Sequence, residues 1–305
     1  MSTYKRLSEV YKNSKIILYD DSSKFVMMSD CHRGSGNTGD NFLKNQYLVF
    51  AALNDYYENG FTYIELGDGD ELWENRCMQK IIEIHSRIFT LMSKFYDENR
   101  MYMLFGNHDK QKENNVFSEC DLIEHYHEHD SIIKPIFPGI EIHEGLILEN
   151  KNDENHRILL VHGHQGDLIN DELYKLGRFL VRYFLRILEM WGVNDPTAAG
   201  KNYKKKNKVE RKLMEWTEEN DVMIIAGHTH KPTFPRVGKT MYFNDGSCVH
   251  PECITAIEIE NGCISLVKWY VMTREDRAMY VEREVLAGPA KLEDYFKYNK
   301  TAEKV

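Results

Sequence analysis

Over the first hundred residues, short apolar runs alternate with longer amphipathic stretches. Ile16 to Tyr19 and Phe25 to Met28 read as strands on either side of a polar turn at Asp20 to Lys24. From Thr38 to Glu58 the apolar positions Phe42, Tyr47, Phe50, Leu53 and Tyr57 recur at helical spacing, and Asn59-Gly60 stops the pattern. Phe61 to Leu66 reads as a buried strand, Arg76 to Tyr96 as a second helix and Met101 to Phe105 as the next strand. This alternation predicts a parallel sheet flanked by helices.

Beyond Asp130 the texture changes to short strands at Ile132 to Ile136, Ile140 to His143, Leu146 to Glu149 and Ile158 to Val161. A long helical region follows from Leu168 to Asn220. Strands resume at Val222 to Ala226, Met241 to Asn244, Ile254 to Glu260 and Ile264 to Val271, with turn residues such as Asn261-Gly262 between them. The charged tail from Arg274 holds one more strand, Ala278 to Val285, before a short helix. There is no repeat and no low-complexity linker. The whole chain, 1–305, is therefore expected to form one α/β domain, with 168–220 inserted into it.

Composition narrows the function classes. The chain is 42% hydrophobic and 29% charged, as a globular protein with a sizeable core should be. A formal charge of −9 argues against a general nucleic-acid binder, which needs a basic surface. It leaves a phosphorylated substrate open, because divalent metals reverse the charge of an acidic pocket. Cys31, Cys77, Cys120, Cys248, Cys253 and Cys263 form no CxxC pair, and the N-terminus lacks the apolar core of a signal peptide. No charge-free apolar stretch is long enough to span a bilayer, so a cytoplasmic protein is expected.

Five segments carry the chemistry: Asp30-Cys31-His32, Gly67-Asp68, Gly106-Asn107-His108-Asp109, His162-Gly163-His164 and Gly227-His228-Thr229-His230. Most directly follow an apolar run. Loops at the carboxyl ends of strands in an α/β sheet converge on one crevice, so five of them can assemble a single site. Asp-x-His puts a carboxylate and an imidazole on the same side of an extended segment. Mixed nitrogen and oxygen donors suit Mn, Fe, Co, Ni or Zn better than Mg or Ca. Each motif alone is usually a solvated turn; the conjunction in this order is not.

This set resembles the calcineurin-like metallophosphoesterases over about residues 25 to 250. The resemblance implies a four-layer αββα sandwich, here with a helical cap insertion. It implies that Asp30, His32 and His230 bind one divalent metal and Asn107, His162 and His228 a second, with Asp68 bridging. Manganese is the first expectation, with Fe, Zn, Ni or Co as alternatives. The implied reaction is hydrolysis of a phosphoric ester or phosphoanhydride by a hydroxide shared between the metals, with His108 assisting the leaving group. Glu71 stands where related phosphatases carry an Asp that orients this histidine, and Asp70 and Asp109 compete for that role. His164 is as ligand-like as His162 and is expected behind the ligands or against substrate. Arg33 is expected either to contact substrate phosphate or to pair with an acidic loop.

The insert bears on substrate. Asp171, Lys175, Arg178, Arg182, Arg186 and Glu189 fall on one stripe of an otherwise apolar helix, and a basic stretch from Lys201 to Lys212 follows. Basic residues concentrated there in an acidic chain point to anion steering, with Arg178 and Arg182 as candidate substrate contacts. The insert and the run Gly227-His228-Thr229-His230-Lys231-Pro232 are similar to bacterial UDP-diacylglucosamine pyrophosphohydrolases, although those usually carry Arg where this chain has His108. A phosphorylated small-molecule or lipid-linked substrate, peripheral membrane contact and a homodimer are thus all compatible with the insert. A non-catalytic scaffold and a nuclease are rival readings, the first disfavoured by a complete set of ligands and the second by the charge. Glu124 to Asp130, rich in histidine, is expected to be a solvated polar stretch, Cys31 a small packing residue, and Asn244 to Ser247 a loop shaping the pocket.

Overall fold

Period-two alternation sorts the strand residues between an inner and an outer core. The computed structural model describes residues 2–37, 39–114, 116–127, 130–165 and 203–302. One sheet joins Lys15–Tyr19 (β1), Gly145–Asn150 (β8), Asp153–Val161 (β9), Met223–Ala226 (β10) and Tyr242–Asn244 (β11) in that spatial order. The other runs from Met279–Lys291 (β14) through Cys263–Thr273 (β13), Cys253–Glu260 (β12), Phe25–Met28 (β2), Thr62–Glu65 (β3) and Met101–Leu104 (β4) to Ile142–His143 (β7). Asp121–His127 (β5) and Asp130–Pro135 (β6) form a separate antiparallel hairpin.

In β2, Phe25 and Met27 face the other sheet, where they meet Ile158, Leu160 and Ile225. Val26 and Met28 face outward onto Gln46–Glu58 (α2) and Ser86–Asp97 (α4), packing with Leu53, Phe89 and Met92. The five-stranded sheet does the same on its far side: Leu159, Val161 and Ile224 pack against Leu7 and Val10 of Thr3–Asn13 (α1) and Leu213 and Trp216 of Tyr203–Asn220. Each such buried aliphatic or aromatic side chain is worth about 1.5–3 kcal/mol. The architecture is the expected four-layer αββα sandwich. The predicted parallel rhythm is present, with β2, β3 and β4 paired in parallel.

Several boundaries depart from the sequence pattern. The helix expected from Thr38 starts only at Gln46, because Asp40 caps a 3₁₀ turn over Asn41–Lys44 through the Phe42 N–H. Arg76 to Tyr96 is two helices, Met78–Ile84 (α3) and α4, broken at His85, whose Nε2 lies 3.0 Å from an Asp40 carboxylate oxygen. The two strands flanking Asp20 to Lys24 belong to different sheets, and α1 has no counterpart in the sequence reading. Glu124 to His127 lies in strand β5. Of the helical region from Leu168 to Asn220, Tyr203–Asn220 (α5) is a helix, while Arg178, Arg182 and the charged stripe lie outside the described residues. Leu292–Ala302 (α6) closes the chain. Among the described residues no helix is long and apolar enough to cross a membrane.

Candidate metal centre

Each motif begins within three residues of a strand end: Asp30 after β2, Asp68 after β3, Asn107 after β4, His162 after β9 and His228 after β10. Backbone bonds lace the loops together. The N–H groups of Asp30, His32 and Arg33 donate to the carbonyls of Gly67, Asp68 and Gly69, and Gly227 N–H donates to His162 O across the other sheet. Aiming the side chains inward demands unusual backbone. Asp30, His32, Asp68, His228 and His230 all lie at positive φ, between 49° and 66°, a region in which non-glycine residues are uncommon. At Gly106 a Cβ would stand 2.1 Å from Asp68 Oδ1, so only glycine admits that carboxylate.

Two groups of ligand atoms result. Asp30, His32 and His230 present donor atoms all within 4.8 Å of one another, and so do Asp68, His162 and His228. Asp68 reaches both: its Oδ2 is 3.1 Å from His162 Nε2 and 4.0 Å from His32 Nε2. His162 Nδ1 is 3.0 Å from the Leu66 carbonyl, which can only accept, so Nδ1 is the donor there and Nε2 is the ring nitrogen turned toward Asp68. His230 Nε2 stands 2.9 Å from Asp30 Oδ1. Among the described residues, Asp30 Oδ1, Asn107 Oδ1 and His162 Nε2 are buried and make no hydrogen bond. Buried lone pairs without donors are costly, and a set of oxygen and imidazole donors fits divalent transition-metal ions.

A fifth histidine belongs to the site differently. His108 Nδ1 is 2.7 Å and His32 Nδ1 3.1 Å from the same Glu71 Oε2. The His108 ring stacks on Trp73 at 4.3 Å and 18°, and its backbone N–H donates to Asp68 Oδ1 at 2.7 Å. Of these imidazoles His108 is the most open, with 24% of its side chain exposed against 0% for His162.

Opposite charges dominate the electrostatics. Burial works against ionisation throughout, yet the facing histidines hold the Asp30 and Asp68 carboxyls well below the ordinary range. Glu71 is drawn down to about 2 by His108 and His32. Reciprocally, burial is outweighed for His162, raised to about 9 by Asp68 and Asp30, and for His108, raised by Glu71 and Asp68. His164 is the exception. Burial and the neighbouring His162 and His228 push its pKa well down, and among the described residues neither ring nitrogen finds a hydrogen-bond partner. It lies beside His162, ring centroids 5.5 Å apart, outside both groups of ligand atoms.

Three expectations need correcting. Arg33 has no exposed surface for a substrate phosphate: its Nε donates to Asp70 Oδ1 at 2.7 Å and its Nη2 to Glu65 Oε2 at 2.7 Å. Of its two readings, the acidic pairing holds. Asp109 is not a partner of His108; its carboxylate accepts from the backbone N–H groups of Gly106, Asp68, Gly69 and Asp70. Asp70 is likewise committed, to Arg33 and Lys112.

Sequence reasoning also missed supports. Ser29 Oγ bridges Asp30 Oδ2 and Asp245 Oδ1, at 2.5 and 2.8 Å, which gives the Asn244-Asp245 loop a definite contact. Glu210 of α5 accepts from Thr229 Oγ1 and Lys231 Nζ, at 3.1 and 3.0 Å, tying that helix to the fifth motif. Lys112 is fully buried, and the only hint in sequence was a charged residue, Glu65, ending a buried strand.

Comparison with known proteins follows the same lines. The family described as calcineurin-like phosphoesterase matches residues 23–232. Among solved structures the chain is similar to Vps29 of Chaetomium thermophilum, at 10% identity and a TM-score of 0.38, covering 88% of this chain and 97% of that one. No curated protein matches it in sequence. The match spans every motif from Asp30 to His230, inside a sandwich of the expected layers, and the chain belongs to the calcineurin-like phosphoesterase family.

Proposed function

We propose that the chain hydrolyses a phosphoric ester or phosphoanhydride with two divalent metal ions, manganese being the first to try. The observation that carries this reading is the junction at Asp68, where the Asp30/His32/His230 group and the Asp68/His162/His228 group meet around one carboxylate. Asp30, His32 and His230 would hold one ion and Asn107, His162 and His228 the other, with Asp68 shared. Bound there, such ions acidify water and neutralise the charge of phosphoryl oxygens.

The remaining work falls to the chain. His108 stands at the open side of the site and offers its imidazole to the departing oxygen as proton donor and charge stabiliser. Glu71 fixes that ring by its Nδ1, and Trp73 fixes its plane. The His108 backbone N–H turns the Asp68 carboxylate toward both ligand groups. His164, neutral and unbonded, backs the second group. Arg178 and Arg182 are proposed to steer the anionic substrate, whether a soluble phosphoester or a lipid-linked one.

The test measures bound manganese by elemental analysis and turnover of nitrophenyl phosphate, its bis-ester and a nucleotide-sugar diphosphate. Asp68→Ala and His228→Ala should abolish turnover and lower metal content while leaving the circular dichroism spectrum unchanged. Near-normal turnover in either variant, or a wild-type chain without metal, would sink the reading. The preferred member of the panel assigns the substrate class.

A further inference from the structure

Behind the two ligand groups lies a third cluster of carboxylates, from Glu65, Asp70 and Asp109, whose oxygens also come within 4.8 Å of one another. All three residues are fully buried. By donor count they would make a cation site, and the cation is already there. Lys112 Nζ sits 2.7 Å from Asp70 Oδ2, 2.7 Å from Asp109 Oδ2 and 3.0 Å from Glu65 Oε1, with no exposed surface. An ammonium has three protons, and here each has a carboxylate. Burial opposes its charge, yet the three carboxylates hold its pKa above the ordinary lysine range.

The cage adjoins the loops that carry the ligands. Asp109 takes the Gly106 N–H at 2.6 Å, next to Asn107, and the N–H groups of Asp68, Gly69 and Asp70 at 3.2, 3.0 and 3.3 Å. Asp70 holds Arg33, the residue beside His32. One ammonium thus fixes the anchor point of the Asp68 loop against that of the Asn107 loop, and Glu65 pins it to the end of β3.

We infer that Lys112 is a positioning residue: its ammonium serves as a cation built into the chain that sets the separation of the Asp68 and Asn107 loops and hence the affinity of the site for metal. It touches neither metal nor substrate. The inference rests on the metal-centre reading above, and it distinguishes a geometric role from mere charge balance. Replacing Lys112 alone leaves three buried carboxylates with Arg33, bonded to Asp70 and Glu65, as the cation among their side-chain partners in the described residues. The double change Lys112→Met/Glu65→Gln removes one positive and one negative charge, keeping the cluster's net charge while removing the tether.

The experiment measures Mn²⁺ affinity by electron paramagnetic resonance, and the thermal midpoint, for the full-length wild type, Lys112→Met and the double variant. The double variant should fold and melt close to wild type yet bind Mn²⁺ about tenfold or more weakly, as loss of a residue supporting metal ligands does elsewhere. Lys112→Met should bind at least as weakly. Equal affinity in wild type and double variant overturns the inference alone, because Lys112 would then be only a counter-charge. Failure of the double variant to fold overturns it too, since the tether would then serve the fold. A wild-type chain that binds no Mn²⁺ overturns the metal-centre reading and this inference with it.

Discussion

His108 meets three kinds of partner at once: a carboxylate at its Nδ1, an indole on its ring face and, through its own N–H, the Asp68 carboxylate. The two jobs separate by substitution. In His108→Ala the backbone N–H to Asp68 remains while the imidazole is lost. Turnover of nitrophenyl phosphate should therefore fall by about two to four powers of ten with metal content unchanged. A parallel loss of metal would show that the ring, not only the amide, holds Asp68 in place. Residue types at the ligand positions were legible from sequence because metal binding needs imidazole, carboxylate and amide oxygen at strand ends. Their supports were not. Lys112 looks like any loop lysine until the fold buries it, and Asp109 reads as a candidate partner for His108 until four backbone N–H groups claim it.

Elements are joined by single polar contacts that periodicity does not announce. Glu210 of α5 is bonded to both Thr229 and Lys231, on either side of His230. Glu210→Ala should lower Mn²⁺ affinity about tenfold with little change in circular dichroism, read by titration against a metal indicator; unchanged affinity would leave α5 as packing only. Asp40 similarly joins the 3₁₀ turn at Asn41–Lys44 to the α3–α4 break, through His85. Burial tends to raise its pKa, but the hydrogen bonds from His85 and the Gly36 N–H prevail and lower it. A carboxyl depressed in the folded state stabilises fully above its unfolded value of about 3.9, and the gain is lost as pH falls through the lowered folded value. Urea unfolding of wild type and Asp40→Asn across pH 2 to 7 should give a stability gap that is constant above about pH 5 and shrinks in acid. A gap independent of pH would contradict the assignment. Amphipathic spacing found α2 and α4, but the break at His85 was invisible because the apolar positions continue straight through it.

At the scale of the molecule the site is a clasp between two sheets. Asp30, Asp68 and Asn107 follow strands of the seven-stranded sheet, and His162, His228 and His230 follow strands of the five-stranded one. Their inner faces meet through Met27, Ile64, Leu160 and Ile225, so metal held by the proposed ligands would add a polar fastening at one end of an apolar seam. Chelation with EDTA should lower the melting temperature, and readdition of Mn²⁺ should restore it. At a free ion concentration a hundred times the dissociation constant the expected stabilisation is about 2.7 kcal/mol. An identical melting curve with and without chelator would show that the ions do not span the seam. The sandwich was legible only through the resemblance that the five motifs carry, since periodicity by itself predicts a parallel sheet flanked by helices. Which strands share a sheet was not, since β1 and β2 are neighbours in sequence and lie on opposite sides of the core.

The positive φ angles at Asp30, His32, Asp68, His228 and His230 set heat resistance against activity. Each such residue carries backbone strain of order 1–3 kcal/mol that glycine, or to a lesser degree asparagine, would relieve. A library screened only for surviving heat in the absence of metal would drift toward those two residues at these five positions. It would end with a sturdier sandwich and no ligands, so any programme to harden this protein has to select for metal binding in every round.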